Sequence, residues 1–483
     1  MTYFFETYGC QMNSAESAAL TLACRERGWT AAAGGESADL VLLNTCSVRA
    51  TAETRVFGRL AHYAALKKRR GSRPFTLVVA GCIAERLGEG LKERAPAVDY
   101  VMGTSARSLF PLILEAVERG PAGPGALVPG AAERPVFSFS SSHLEEGSFR
   151  AFVPIMHGCD NFCSYCIVPY VRGREVSRDP QSILNEIRLA AERGVREITL
   201  LGQNVNSYRW EGPVPPEGGR PGPAGGPPGR LDFAGLLALV AGETAGSPVR
   251  RVRFLSSHPK DLSPTTIAVM AENPVFCRHL HLPAQHGSNR ILERMNRRYT
   301  REQYLELAAA LRRAMPGISF STDILVGFPG ETEEDLAETL DLMEEVRFLY
   351  AYMYHFNPRE GTAAFDLPGR IPEALKRERL SRVIAAQKRH TAELLRSRIG
   401  CRELVLVEGI SRKNADEIIG RTGRDEMTVA PGSASMAGRF ACLTLRSLRG
   451  NTFRGEDLEM VDETPPVKRG NLTRYCIETV PVE

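Results

Sequence analysis

The stretch His157-Gly-Cys-Asp-Asn-Phe-Cys-Ser-Tyr-Cys-Ile-Val-Pro-Tyr-Val-Arg-Gly-Arg174 sets Cys159, Cys163 and Cys166 at offsets of four and three. Thiols at that spacing can converge on one side of a compact loop, and an odd number of them does not pair off as disulfides. A tetrahedral zinc site takes four ligands. The nearby candidate is His157, which stands upstream, on the wrong side for the usual pairwise zinc spacing. A [4Fe-4S] cluster suits three thiolates better, because they hold three irons and leave the fourth open to a small molecule. A structural metal knuckle is the competing reading.

Outward from this loop, residues 145–380 alternate strand and helix patterns. Strands are expected at 151–156, 197–201, 251–254, 279–282, 319–326 and 349–355, with helices at 180–193, 233–243, 262–273, 289–295, 301–313 and 333–346. The pattern predicts an α/β fold, a run of βα units approaching a barrel, with six units rather than eight: an open, partial (βα)6 barrel. Such a barrel keeps its site at the carboxyl ends of the strands. Polar residues gather there: Gln203 and Asn204, then Ser256, Ser257 and His258, then Gln285 in 283–287, then Asp323 and Gly327. Gln203, Asn204, Ser257, Gln285, Asp323 and Gly327 are candidates for holding a small-molecule cofactor; turn and capping roles are the alternative for each. The segment 211–230 has fourteen Gly or Pro among twenty residues and is expected to be an extended surface loop without chemistry.

Upstream, residues 1–135 read as a small, mostly parallel α/β domain, with strands at 2–7, 38–44, 75–80 and 98–102. Ser14 is a candidate cap for the first helix, 14–27. Cys10, Cys46 and Cys82 each follow a strand, and Gly9 and Gly81 directly precede two of them. Equivalent strand ends meet in space whatever their sequence separation, so these thiols can form a second site. Three buried structural thiols would give the same pattern. Cys24, on the first helix, is expected in the core or at the surface. A Gly/Pro/Ala-rich linker covers about 118–135.

Downstream, residues 381–465 combine a basic helix with five short β-type runs, predicting a small antiparallel barrel; 466–483 reads as a tail. Between Lys376 and Arg402 lie nine Lys or Arg against two Glu. A second basic group runs from Arg290 through Arg294, Arg297 and Arg298 to Arg301. Two basic zones beside a redox site point to a polyanion, and Arg172, Arg174, Arg297, Arg298, Lys388, Arg389 and Arg449 are candidate contacts. A solvated charged face is the bland alternative. Eleven cysteines without dense disulfide spacing fit a reducing compartment, and neither an apolar run of membrane length nor a signal peptide is read.

These motifs together resemble the methylthiotransferases of the radical S-adenosylmethionine (SAM) superfamily across nearly the whole chain. Within that family, Thr7-Tyr-Gly-Cys-Gln-Met-Asn13, Leu201-Gly-Gln-Asn-Val-Asn206 and Leu282-Pro-Ala-Gln-His-Gly-Ser288 are similar to the branch acting on N6-isopentenyladenosine at position 37 of the tRNA anticodon loop. The resemblance implies a carboxyl-terminal TRAM barrel and two [4Fe-4S] clusters. One, on Cys159, Cys163 and Cys166, would bind SAM; an auxiliary one, on Cys10, Cys46 and Cys82, would supply sulfur. The implied reaction replaces the adenine C2 hydrogen with a methylthio group. Implied partners are tRNA, a flavodoxin- or ferredoxin-like electron donor and a sulfur source, for a cytoplasmic monomer. Branches acting on threonylcarbamoyl-adenosine or a ribosomal-protein aspartate are the alternatives within the family. An RNA-binding protein with structural clusters is the alternative of another class.

Overall fold

The computed structural model describes residues 1–47, 50–71, 75–120, 147–215 and 228–461. The expected linker beyond 120, the middle of the 211–230 insert and the tail lie outside the described residues.

The amino-terminal sheet has five parallel strands in the order Thr30–Ala31, Thr2–Thr7, Leu40–Thr45, Thr76–Gly81, Tyr100–Met102. The strand Leu40–Thr45 is buried along its whole length, as an apolar run flanked on both faces requires. Its side chains alternate: Val41 and Leu43 pack with Val56, Leu60 and Tyr63, while Leu40 and Leu42 pack with Leu20, Trp29 and Phe110. Cys24 belongs to the second of these cores, where burial pushes its thiol up to about 12. The first helix spans Gln11–Glu26 with Cys10 as its N-cap, so Ser14 lies inside the helix.

In the central domain six parallel strands follow chain order. Arg150–Pro154, Glu197–Leu201 and Arg251–Phe254 form one group, and His279–His281, Ser319–Val326 and Tyr350–His355 the other. A parallel bridge between Val252 and Phe276 joins them. Among the described residues, the first and last of these strands pair on one side only, which leaves the barrel open between them. The core lies between sheet and outer helices, with Ile198, Leu200, Val252, Phe320 and Ile324 against Leu184, Ile187, Leu237 and Leu342. The insert departs from expectation at its ends: Arg209–Pro213 pairs antiparallel with Pro228–Asp232, and Trp210 packs against the domain core.

A helix at Glu373–Arg396 leads into a closed five-stranded barrel, Arg402–Ser411, Asn414–Thr422, Met427–Pro431, Phe440–Arg449 and Thr452–Met460. Four of its pairings are antiparallel, and the one between Met427–Pro431 and Thr452–Met460 is parallel. Two pairings carry register shifts, the kind of local bend that helps a small sheet close.

Candidate active site

The first cysteine trio sits where three parallel strands end. Thr7 pairs with Asn44 and Thr45 with Gly81, so Cys10, Cys46 and Cys82 emerge at adjacent strand ends. Hydrogen bonds fix these ends together. The Asn13 amide donates to Asn44 Oδ1 at 3.0 Å and to the Thr45 carbonyl at 3.1 Å, and the Asn44 amide returns to the Asn13 carbonyl at 2.9 Å. Thr45 Oγ1 donates to the Ala80 carbonyl at 2.6 Å and accepts from Ile83 N–H at 3.2 Å. A Cβ at Gly9 would lie 2.8 Å from Cys46 Cβ, and one at Gly81 would lie 2.5 Å from the Thr45 carbonyl oxygen. Both glycines have positive φ, so glycine is required twice over. Cys10 caps one helix and Cys82 opens another, Cys82–Leu87, and a helix N-terminus favours negative charge through its backbone dipole. Cys46 and Cys82 are buried and Cys10 is exposed. Burial pushes the Cys82 thiol up to about 11, a cost that ligation to iron would offset.

The second trio lies in the loop after Arg150–Pro154. Gly158 has φ near +80°, and a Cβ there would meet the Arg174 carbonyl oxygen at 2.0 Å. The Gly158 N–H donates to Gln203 Oε1 at 2.6 Å, and the Cys159 N–H to the Gly173 carbonyl at 3.2 Å. Across the loop, the Asn296 amide donates to the carbonyls of Asn161 and Phe162, and Ser164 Oγ to that of Arg294 at 2.8 Å. Burial pushes Cys159 up to about 11 and Cys166 up to about 12. Arg297, 4 % exposed, donates from Nη1 to Cys163 Sγ at 3.3 Å. A buried cation and an aligned donor are what an anionic cluster needs beside it.

The two trios adjoin. Cys82, Ile167 and Val171 pack together, so the helix Val168–Arg172 that leaves Cys166 rests on the helix that begins at Cys82. Thr104 Oγ1 locks this junction through the Val171 carbonyl at 2.6 Å. Arg172 pairs with buried Glu16 at 2.7 Å, and Arg107 approaches the same carboxylate at 3.5 Å. Despite burial, the two guanidiniums hold Glu16 below the usual carboxylate range. Met12 and Ala15 of the first helix pack on Phe152, Leu201 and Leu255, so the first domain borders the carboxyl end of the central barrel.

Buried polar atoms without hydrogen-bond partners collect at that same end: Asn204 Oδ1, Asn206 Nδ2, Ser257 Oγ and His258 Nε2. Groups so placed are costly unless a ligand meets them, which fits a polar cofactor seated there. Asn206 and His258 are additions to the expected set; their place beside Asn204 and Ser257 was the available signal. Of the expected residues, Asn204 and Ser257 belong to this group. Gln203 holds the loop of Cys159, Cys163 and Cys166 through the Gly158 N–H. Gln285, with φ near +67°, lies in the loop after His279–His281 and bridges to Ile324, its N–H donating to the Asp323 carbonyl at 2.9 Å. Gly327 does not cradle a ligand: its N–H goes to Glu331 at 2.7 Å, and a Cβ would strike Lys376 Cγ at 2.4 Å.

The expected polyanion contacts divide. Arg172 and Arg297 are buried and bonded inside the protein, so neither offers a phosphate contact. Arg290 and Arg294 cap the carbonyls of Gly330 and Pro329. On the basic helix, Lys376 and Arg379 are buried, Arg382 pairs with Glu333, and Arg389 pairs with Glu344 at 2.5 Å. Much of that charge is therefore a seam against Glu333–Val346. Arg174, paired with Asp160, stays exposed, as do Arg298, Lys388 and Arg449. Lys388 joins Arg396 and Arg446 in lining a groove of about 760 Å³ between helix and barrel.

Comparison with known proteins agrees with this geometry. Residues 153–343 match the model of the radical SAM superfamily, and residues 2–103 that of Uncharacterized protein family UPF0004. The radical SAM methyltransferase TsrM from Kitasatospora setae shares the fold at a TM-score of 0.56, with 16 % identity over 75 % of this chain and 77 % of that one. Fold and site define a radical SAM enzyme, which uses a [4Fe-4S] cluster and SAM. Proteins named tRNA-2-methylthio-N(6)-dimethylallyladenosine synthase from Treponema pallidum (strain Nichols) and Geobacter sulfurreducens are 49 % and 42 % identical, over 94 % of this chain and 98 % and 96 % of theirs. The chain belongs to the tRNA-2-methylthio-N(6)-dimethylallyladenosine synthase family.

Proposed function

We propose that this enzyme converts N6-isopentenyladenosine at position 37 of tRNA to its 2-methylthio derivative. The observation that carries the reading is the packing of Cys82 on Ile167 and Val171, which supports two neighbouring cluster sites at the carboxyl end of the central barrel. Cys159, Cys163 and Cys166 would hold the SAM-binding cluster, and Cys10, Cys46 and Cys82 the auxiliary one.

Bound there, the two clusters and SAM would supply one-electron chemistry, sulfur and the methyl group, which suits a C2–H bond too weakly acidic for base catalysis. The chain's own residues orient and exclude. Gln203 and Asn296 fix the loop of Cys159, Cys163 and Cys166, and Asn13, Asn44 and Thr45 fix the strand ends that carry Cys10, Cys46 and Cys82. Asn204, Ser257 and His258 offer buried polar atoms to SAM. The lateral opening between Arg150–Pro154 and Tyr350–His355 admits an extruded base, while Arg174, Arg298, Lys388 and Arg449 face solvent where phosphates would pass. The partners of this reading are tRNA, a small electron carrier and a sulfur source, for a monomer in the cytoplasm; no described helix is long and apolar enough to cross a membrane.

The test is nucleoside mass spectrometry of isopentenylated tRNA, incubated without oxygen with cluster-loaded protein, SAM, reductant and sulfide. A methylthio-isopentenyl-adenosine peak is expected, absent for Cys163→Ala and for Cys46→Ala. Release of 5′-deoxyadenosine without that peak would move the acceptor elsewhere.

A further inference from the structure

The last barrel strand, Tyr350–His355, carries tyrosines at 350, 352 and 354, alternate positions that share one face of a strand. That face also carries their register partners: Tyr350 lies opposite Ser321, Tyr352 opposite Asp323 and Tyr354 opposite Leu325. His281 meets the Tyr352 ring edge-on at 5.7 Å, and His279 meets Tyr350 at 6.4 Å. These rings border the lateral opening, and two are exposed in a way unusual for a barrel strand: Tyr352 is 55 % exposed and Tyr354 38 %.

The row has two defined ends. Tyr350 and Leu349 pack against the core of the carboxyl-terminal barrel. Beyond His355, Phe356 packs in a cluster with Tyr165, the neighbour of Cys166. The tyrosines therefore run from the small barrel to the SAM-binding loop. Rings on one strand face repeat at about 7 Å, twice the thickness of a stacked base. Aromatic platforms of this kind hold unstacked RNA bases by their π-faces. Asp323 and Asp425 lie near Tyr352. Asp425 is paired with Arg421 at 3.2 Å, so Asp323 is the carboxylate that disfavours a phosphate at the rings and leaves room for a neutral base.

We propose that Tyr352 and Tyr354 are the stacking platforms for unpaired nucleobases of the substrate loop, in the lateral opening between the small barrel and the cluster loop. The proposal rests on tRNA being the substrate, and its test separates the two ideas. Binding of a fluorescent, isopentenylated anticodon stem-loop RNA to the cluster-loaded enzyme is followed by anisotropy. Iron content and circular dichroism establish that each variant is loaded and folded. Tyr352→Ala and Tyr354→Ala should each weaken binding about 5- to 150-fold, the range for loss of one base–aromatic stack, whereas Tyr352→Phe and Tyr354→Phe should bind like wild type. Alanine variants that bind as tightly as wild type would overturn the proposal. So would phenylalanine variants as weak as the alanine ones, since the hydroxyl would then carry the contact. If wild type forms methylthio product on this RNA while the alanine variants bind normally, the stacking proposal alone falls. If wild type neither binds nor modifies the RNA, the substrate reading itself falls.

Discussion

Arg297 is a buried guanidinium whose partners are Cys163 Sγ, the Pro283 carbonyl at 3.0 Å and the hydroxyls of Tyr299 and Tyr165. None of these partners is a carboxylate, so its charge is available to the cluster proposed to sit on Cys159, Cys163 and Cys166. A hydrogen bond to a cluster sulfur, and a cation near it, raise the reduction potential. Arg297→Gln should therefore lower the midpoint potential of the SAM-binding cluster. The expected shift is about 60–130 mV, from roughly 1.5–3 kcal/mol for a hydrogen bond to a charged group at about 59 mV per tenfold change. A redox titration followed by electron paramagnetic resonance measures it, with the auxiliary cluster as internal reference and Arg297→Lys expected between the two. Equal potentials in Arg297→Gln and wild type would reduce the arginine to a loop brace. The sequence shows six cysteines at telling positions because strand ends and tight spacings are local patterns. It does not show this role for Arg297 or Arg172, because a charged letter carries no sign of burial; both read more naturally as surface cations. The bracing roles of Asn13, Asn44 and Thr45 are hidden for a related reason: their partners lie about 30 to 40 residues away.

At the scale of elements, short apolar runs between helical patterns locate the strands, and tertiary contacts decide what surrounds them. The expected basic helix forms at Glu373–Arg396, yet Arg379 Nη1 reaches buried Glu331 at 2.9 Å and a second nitrogen reaches Glu333 at 2.9 Å. Counting charges along one helix overlooks the acidic helix packed against it. That acidic helix, Glu333–Val346, begins with a capping box in which Asp335 accepts from Thr332 N–H at 2.7 Å. Burial pushes the Asp335 carboxyl up, but bonds from Ser288, Thr332 and Arg290 outweigh it and bring the pKa to about 2. A carboxyl depressed on folding stabilises above its unfolded pKa and loses that contribution as pH falls. Asp335→Ala should cost about 0.5–2 kcal/mol at neutral pH, as loss of a helix cap does. Urea titrations of wild type and variant should show this gap beginning to narrow below about pH 4, where the unfolded chain starts to take up the proton. A gap independent of pH would assign the loss to packing instead.

Across the whole molecule, the carboxyl-terminal barrel is a docked part of the enzyme, held by the packing of Leu349, Tyr350 and Leu395 into its core and by a set of arginines gathered on one buried carboxylate. Glu197 accepts from Arg253 at 3.2 Å and forms ion pairs with Arg150 at 3.0 Å and Arg251 at 3.8 Å; despite burial, these cations hold it below the usual carboxylate range. The same arginines reach across to the barrel. Arg251 donates to the carbonyls of Arg421 and Leu404, Arg253 to that of Thr422, and Arg150 pairs with Glu408 at 2.7 Å. Arg251 and Arg253 alternate with Val252 and Phe254, a pattern that marks one strand face as charged. What the sequence could not convey is that this charge meets a second domain rather than water. Removing the shared anion leaves buried cations uncompensated, a loss of about 3–5 kcal/mol when one partner of a buried ion pair is deleted. Glu197→Gln should therefore loosen the barrel from the central domain while the barrel's own closed sheet stays folded. Limited proteolysis should show faster cleavage in the turn at 397–401, between helix and barrel, and isopentenylated tRNA should bind more weakly. Cleavage at the wild-type rate would mean that the carbonyl contacts of Arg251 and Arg253 suffice without Glu197. Weaker tRNA binding without faster cleavage would place the effect in the lumen of the barrel rather than in its docking.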